Sequence, residues 1–298
     1  MAEASINFGP RPGVLGYPKR AWDFVRRWPV IPAIILGLLV FSAVFAPLVA
    51  PHSPYDQSLR DRTTAPAWSE GGSSEYLLGT DHVGRDVLSR VIHGARISLM
   101  VTVVALGSGI LIGVTLGLIA GWYGGFADEI LARIVDIWLA LPFLLVALVV
   151  VIVFGQSVPT MMLVLAMVSW STFVRNVRAE VLTLKTRDYV ELARVSGAST
   201  PRILIRHIIP GVVNTVFVIA TLNVGGLILT EATLSFLGAG IPSPTPAWGL
   251  MVAEGRDYLR SHWWIPVVPG TAIALVVMSL NFLGDWLRDR FDPRLRQI

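Results

Sequence analysis

The chain has 298 residues, 54% hydrophobic and only 15% charged, with a mean hydropathy of +0.65. A soluble domain carries roughly 25% charged residues, so this composition argues against a soluble globular fold and for a membrane. Cysteine is absent, which removes disulfide frameworks, cysteine-ligated zinc, iron–sulfur clusters and thiol catalysis together, and the net charge of +4 is almost all arginine placed beside apolar segments, where topology explains it better than nucleic acid does.

Lys19, Arg20, Arg26 and Arg27 precede an apolar run over residues 30–50. A secretory signal core spans roughly 7–15 residues and a bilayer crossing about 20, so this run reads as a retained first transmembrane helix. Trp22, Val25 and Trp28 before it fall on one face of a short interfacial helix. Residues 51–95 form a long loop rich in Pro, Gly, Ser and acids, a length that goes with function or disorder. At its end, residues 86–96 read as a short helix turning Val87 and Val91 toward apolar surroundings.

Five more apolar segments follow, at residues 97–120, 134–154, 158–174, 211–237 and 265–286. Only helices satisfy their own backbone inside a bilayer, so the expected fold is all-α with six transmembrane helices. Gly109, Gly113, Gly117 and Gly121 recur every four residues in the second segment and line one helix face. That face serves helix packing, a moving seam, or both. Asp136, near Arg133, reads as an interfacial ion pair at the inner end of the third segment.

Residues 175–210 form a basic loop between apolar segments. Residues 189–196 are expected to be a short helix stopped by Gly197, with Ser199 capping a second helix that carries Pro201 early and runs to Pro210. Two short helices joined by glycine make a compact knob able to enter a partner's groove. Arg187, Arg194, Arg202 and Arg206 either pair with acids on that partner or supply membrane-proximal positive charge. Glu231 follows about twenty apolar residues and belongs near the far end of its span, where it contacts a translocated ligand or closes an interhelical hydrogen bond. Asn223 and Asn281 bond between helices or face a wet pathway. Residues 242–266 form an outer loop of stiff turns and interfacial aromatics.

With the N-terminus inside, seventeen of the Lys/Arg residues fall on cytoplasmic segments and seven on outer ones, which places both termini and the 175–210 loop in the cytoplasm. The chain has no Gly-x4-Gly-Lys-Ser/Thr, its only lysines being Lys19 and Lys185, so ATP binding and hydrolysis are not expected in it. No metal-ligand spacing, nucleophile elbow or dinucleotide fingerprint occurs, and no catalytic residue or metal site is expected. An ion-driven secondary transporter of a small polar solute is the competing class, but its buried mid-span carboxylates are missing apart from Glu231 near an edge.

Glu191, Ala193, Gly197 and Pro210 stand at the spacing of a family pattern, Glu-Ala-Ala, three residues, Gly, nine residues, Ile-x-Leu-Pro; Leu192, His207 and Ile209 depart from it. The stretch resembles the cytoplasmic coupling loop of binding-protein-dependent ABC importer permeases. Residues 78–90, 230–238 and 284–294 also resemble segments of the C-type permeases of dipeptide and oligopeptide importers. The resemblance implies a type I ABC importer permease fold in the inner (plasma) membrane. It divides the chain into an N-terminal part (1–95), a transmembrane domain (96–290) with the coupling loop at 175–210, and a cytoplasmic tail (291–298). It implies a heterodimer with a second permease, two ATP-binding cassette ATPase subunits and an extracytoplasmic substrate-binding protein, all in contact with membrane lipid and none with nucleic acid. No cofactor is expected in this chain, ATP and Mg being bound by the ATPases. The residues implied in ATPase coupling are Glu191, Ala193, Arg194, Gly197, Ala198 and Pro210.

Overall fold

The computed structural model describes residues 29–291. The interfacial helix expected around Trp22 to Trp28 and the tail beyond residue 291 lie outside the described residues. Among the described residues the chain is helix and loop, with two isolated bridges and no strand.

Helix α1 (Val30–Val49) is the first apolar run, 20 residues long. It leads through a long loop into α2 (Val87–Tyr123), which has 37 residues. The short helix expected at 86–96 and the span expected at 97–120 are therefore one rod, unbroken across residues 95 and 96. Asp86 starts it, its carboxylate accepting from the Ser89 N–H at 3.0 Å and the Ser89 hydroxyl at 2.5 Å. Gly124 and Gly125, both with positive φ, end it.

The third expected span is different. Residues 134–154 are not one straight helix: α3 (Gly125–Ala140) and α4 (Phe143–Phe154) meet at 84°. Pro142 causes the break, because it lacks an N–H and pushes Leu141 into extended backbone at ψ 132. Helix α5 (Val158–Leu184) runs ten residues past the expected end at 174, so Arg175 and Arg178 are helical rather than loop.

The loop segment holds α6 (Asp188–Val195) and α7 (Thr200–Ile203). A π-helical turn, Leu204–Ile208, then joins α7 to α8 (Ile209–Phe236), so helix continues over Thr200–Phe236. Pro210 therefore does not separate knob from span. It occupies the second position of α8, and the wider π turn, closed by the Ile209 N–H on the Leu204 carbonyl, absorbs its missing donor. Helix α9 (Trp248–Gly255) and a 3-10 turn lead to α10 (Trp264–Phe291). Five helices are long and apolar enough to cross a membrane, and the bent α3–α4 pair makes a sixth candidate.

Three apolar clusters hold the bundle. One, at the end carrying the 51–86 loop (the cap end), gathers Trp248, Met251, Trp264 and Ile265 against α1, α2, α8 and α10. A second joins α4 and α5 to α2 and α8 through Val151, Met161, Leu165 and Leu234. The third, at the opposite or knob end, packs Val190, Ile203 and Ile208 onto Val177, Val181 and Val212. The two buried indoles of the cap end have their N–H groups satisfied, Trp248 donating to the Val91 carbonyl at 2.8 Å and Trp264 to the Thr80 carbonyl at 3.1 Å.

Candidate functional site

Helix α6 places Asp188 and Glu191 in its first turn and Arg194 in its last, the polarity that suits the helix dipole. Its end is a two-bond cap: the Gly197 N–H reaches the Arg194 carbonyl at 3.0 Å and the Ala198 N–H the Ala193 carbonyl at 3.0 Å. Gly197 has φ 78, with nothing within 4 Å of where a Cβ would stand, so the demand for glycine is conformational and not steric.

One side of the knob is packed and the other free. Val190 and Ile203 are fully buried, and Ala193 and Ala198 pack against the same cluster. The Arg194 guanidinium lies 5.6 Å from the centre of the Trp122 ring, and the Tyr189 and His207 rings stand 6.1 Å apart. Lys185 donates to the Gly121 carbonyl at 2.8 Å, capping the end of α2 beside the knob. Outward face Glu191, Leu192 (66% exposed), Val195 (87%) and Ile205 (67%). An exposed apolar tip with charged flanks, set on a rod that crosses the bundle, can receive a push and transmit it.

The glycine stripe lies against α5. A Cβ at Gly109, Gly113, Gly117 or Gly121 would come within 1.8–2.8 Å of Ser169, Phe173, Val177 or Val181 respectively. Two four-residue ridges thus interlock where α2 and α5 make the most extensive helix pair.

Of the residues considered for a pathway or gate, Glu231 is buried at 1% exposure. Its hydrogen bond is with Ser235 of the same helix, at 2.8 Å, and not between helices as expected. Asn223 likewise donates within α8, to the Ile219 carbonyl at 2.8 Å. Asn281 is exposed on α10 and lies beside Gly225 of α8. These three are not gathered into one site. Asp136 pairs at 2.7 Å with Arg175 of α5, not with Arg133, which is one turn back on its own helix. Arg178 forms a second pair, with Asp128.

Sequence reasoning missed the polar core of the cap end. Asp81, Arg85 and Arg90 are each at least 98% buried. Arg85 Nε and Arg90 Nη1 both stand 2.6 Å from Asp81 Oδ2, and the same two guanidiniums reach Glu254 Oε2 at 2.9 and 3.0 Å. Two cations and two anions cancel, and α9 is thereby tied to the start of α2. Asp81, His82 and Glu254 bring ligand atoms within 4.8 Å of one another. The carboxylates are already engaged by two guanidiniums, whose charge opposes a dication there. Burial pushes the Asp81 carboxyl up, but Arg90, Arg85 and two backbone N–H groups outweigh it and hold its pKa below the ordinary 3.8. Its pairing therefore contributes stability that is present above that ordinary value and lost as pH falls through the lower folded one. The melting midpoint in detergent should show no loss from this group until pH drops below about 4. A loss that tracks protonation of Asp81 nearer neutrality would contradict this account.

The transport system inner membrane component model, described as binding-protein-dependent, matches residues 113–297. The N-terminal transmembrane domain of oligopeptide transport permease C matches residues 26–66. The chain is 45% identical over 279 residues to a dipeptide transport system permease protein DppC of Escherichia coli K12, covering 93% of each chain. It is 43% identical over 263 residues to a di/tripeptide transport system permease protein DppC of Pseudomonas aeruginosa, covering 88% of this chain and 87% of that one. With a glutathione transport system permease protein GsiD of Pectobacterium atrosepticum it shares 39% identity over 274 residues, 92% of this chain and 89% of the other. Among solved structures, an inward-facing methionine ABC transporter, MetNI, superposes with a TM-score of 0.54 at 20% identity, over 66% of this chain and 93% of that one. An amino acid ABC transporter gives 0.52 at 16% identity, over 68% and 94%. These two likenesses concern the fold alone. A family model spanning more than half the chain, over a bundle of membrane-length helices, leads to one conclusion: this is a multi-pass inner-membrane protein belonging to the binding-protein-dependent transport system inner membrane component family.

Proposed function

We propose that the chain is the C-type permease subunit of an ABC importer for di- or oligopeptides, built as a heterodimer with a second permease. Two ATP-binding cassette ATPases bind ATP and Mg at the knob end, and an extracytoplasmic binding protein delivers solute at the cap end. The names of the relatives support the peptide class, and the glutathione permease among them fits a path wide enough for short peptides generally. Both termini and the knob are cytoplasmic on this reading. Burial of Arg85 and Arg90 in a neutral network supports that orientation, because it lowers the free positive charge of the cap end. The chain itself is no enzyme on this reading.

The observation that carries the coupling role is the knob, apolar at its tip and continuous with α8. ATPase closure on ATP pushes Glu191, Leu192 and Val195, and helix Thr200–Phe236 carries the displacement through the bundle. The permease pair then opens outward, the binding protein releases its load, and hydrolysis resets the pair.

Gly197→Ala tests this directly. A left-handed backbone costs an L-residue about 1–2 kcal/mol, a factor of roughly 5–30 in the population of the docked knob. Peptide import per ATP hydrolysed should fall by about that factor while membrane insertion and yield stay normal. Unchanged coupling at normal expression would remove the knob from the mechanism. Affinity capture from native membranes, with mass spectrometry, should recover a second permease and Walker-motif ATPases. Recovery of this chain alone under conditions that preserve such complexes would favour a self-sufficient transporter.

A further inference from the structure

The seam between α3 and α5 is polar where lipid would require it to be apolar. The break at Leu141–Pro142 lies deep. Helix α4 has 12 residues, so it covers roughly 18 Å from the break to its other end. That end is fixed at the cap side, where the Gln156 side chain donates to the Gly238 carbonyl. Trp138, Leu141 and Phe143 at the break line a cavity of about 110 Å³ with Val168 and Ser171 of α5. Ser171 follows the start of α5 by thirteen residues, again roughly 20 Å. A hydrocarbon core is about 30 Å thick, so both rulers place the break about two-thirds of the way across, inside the knob-side half of the bilayer.

At that depth the Leu141 carbonyl receives no hydrogen bond among the described residues, Pro142 offers no N–H, and Leu139 and Leu141 are 48% and 45% exposed. Irregular backbone in this state is tolerated against protein or water and not against lipid tails. A second, independent feature extends the same surface. Ser171, Arg175 and Arg178 stand four and three residues apart, on one face of α5. Arg175 and its partner Asp136 are 56% and 61% exposed, and Arg175 lies roughly 25 Å along α5 from its cap-side start, still within the hydrocarbon. Below them a cavity of about 400 Å³ is lined by Val135, Asp136, Arg175 and Arg178. Charges so placed mark a water-filled cavity or a polar solute's route.

Resting on the permease reading above, we infer that the α3–α5 seam, from the helix break at Leu141–Pro142 to Arg178, lines the knob-side half of the solute path and takes a zwitterionic solute. The negative end of the α3 dipole and the Asp136 carboxylate face its ammonium group, and Arg175 faces its carboxylate.

The chain has no cysteine, so each introduced thiol is the only one this chain carries, and labelling is read on this chain's own band. Ala140→Cys, Leu139→Cys and Leu38→Cys are each placed in the complete importer in inside-out vesicles, Leu139 being exposed at the break. They are titrated with a charged, membrane-impermeant methanethiosulfonate. Leu38, 60% exposed on α1, is the mid-span control. The reactive thiolate needs water, so the first two should label at least ~10-fold faster than the third, and the difference should shrink when the ATPases are trapped with ATP. Ala140→Cys and Leu139→Cys as inert as the control, in an importer that still transports, would overturn the inference and place this face against the second permease. Import of dialanine at saturating solute through Arg175→Gln should fall by about tenfold, as loss of a charged contact to the solute's carboxylate predicts; an unchanged import rate would take the ion pair out of the path. An unmutated importer that moves no dipeptide at all would count against the proposed substrate class instead, which keeps the two failures apart.

Discussion

Gly113→Ala should leave little stable permease, whereas Gly107→Ala, six residues earlier on the same helix, should be neutral or stabilising. The substitution is identical, and only the surroundings differ. At Gly107 a Cβ meets nothing within 4 Å, so alanine contributes only its helix propensity, up to about 1 kcal/mol. At Gly113 it would stand 2.4 Å from the Phe173 Cβ and 2.6 Å from the Trp170 carbonyl oxygen, both on or next to the backbone of α5. No rotamer change relieves that contact, so the two helices must separate. Overpacking costs about 1–3 kcal/mol even where side chains can adjust, and here every contact along the stripe is loosened together. The difference between the two variants should therefore exceed about 2 kcal/mol, read as thermal midpoint and monodispersity in detergent. Equal midpoints would mean that α2 and α5 do not approach this closely in the membrane.

Features set by local chemistry were legible in the residues alone. The four-residue glycine period announced a close helix contact without naming the partner, because a stripe states its own geometry and not that of the helix it meets. Gly197 read as a helix stop because only backbone conformation is at issue there, and φ 78 is a local property. What stayed illegible depends on neighbours. Arg85 and Arg90 counted as outer positive charges because burial among Asp81 and Glu254, some 170 residues apart in sequence for Arg85 and Glu254, leaves no periodic trace. Hydropathy ran across Leu141-Pro142 because an apolar sum does not register a missing N–H, although that dipeptide was the available signal for the break. At Pro210 the same signal misled in the other direction, since a π turn absorbed the proline and kept the helix continuous.

Asp81→Ala should destabilise the cap end by about 3–5 kcal/mol, the cost of leaving buried charge uncompensated. Asp81 Oδ2 accepts from both Arg85 Nε and Arg90 Nη1, and its other oxygen accepts the Arg85 and Val83 N–H groups at 3.0 and 2.9 Å. Removing it leaves two guanidiniums, each about 2% exposed or less, with only the Glu254 carboxylate. Charge balance, and not the number of bonds lost, should then govern stability. Asp81→Ala with Arg90→Met restores one cation to one anion, so the double variant should be more stable than Asp81→Ala alone even though a second polar residue has been removed. The coupling should amount to at least ~1 kcal/mol in a double-mutant cycle. Melting of the four proteins in one detergent measures it. Effects that simply add would show that each side chain holds the cap independently. Recovery in the double variant would identify the network as a neutral joint, one that binds the start of α2 to α9 without carrying net charge into the cap end.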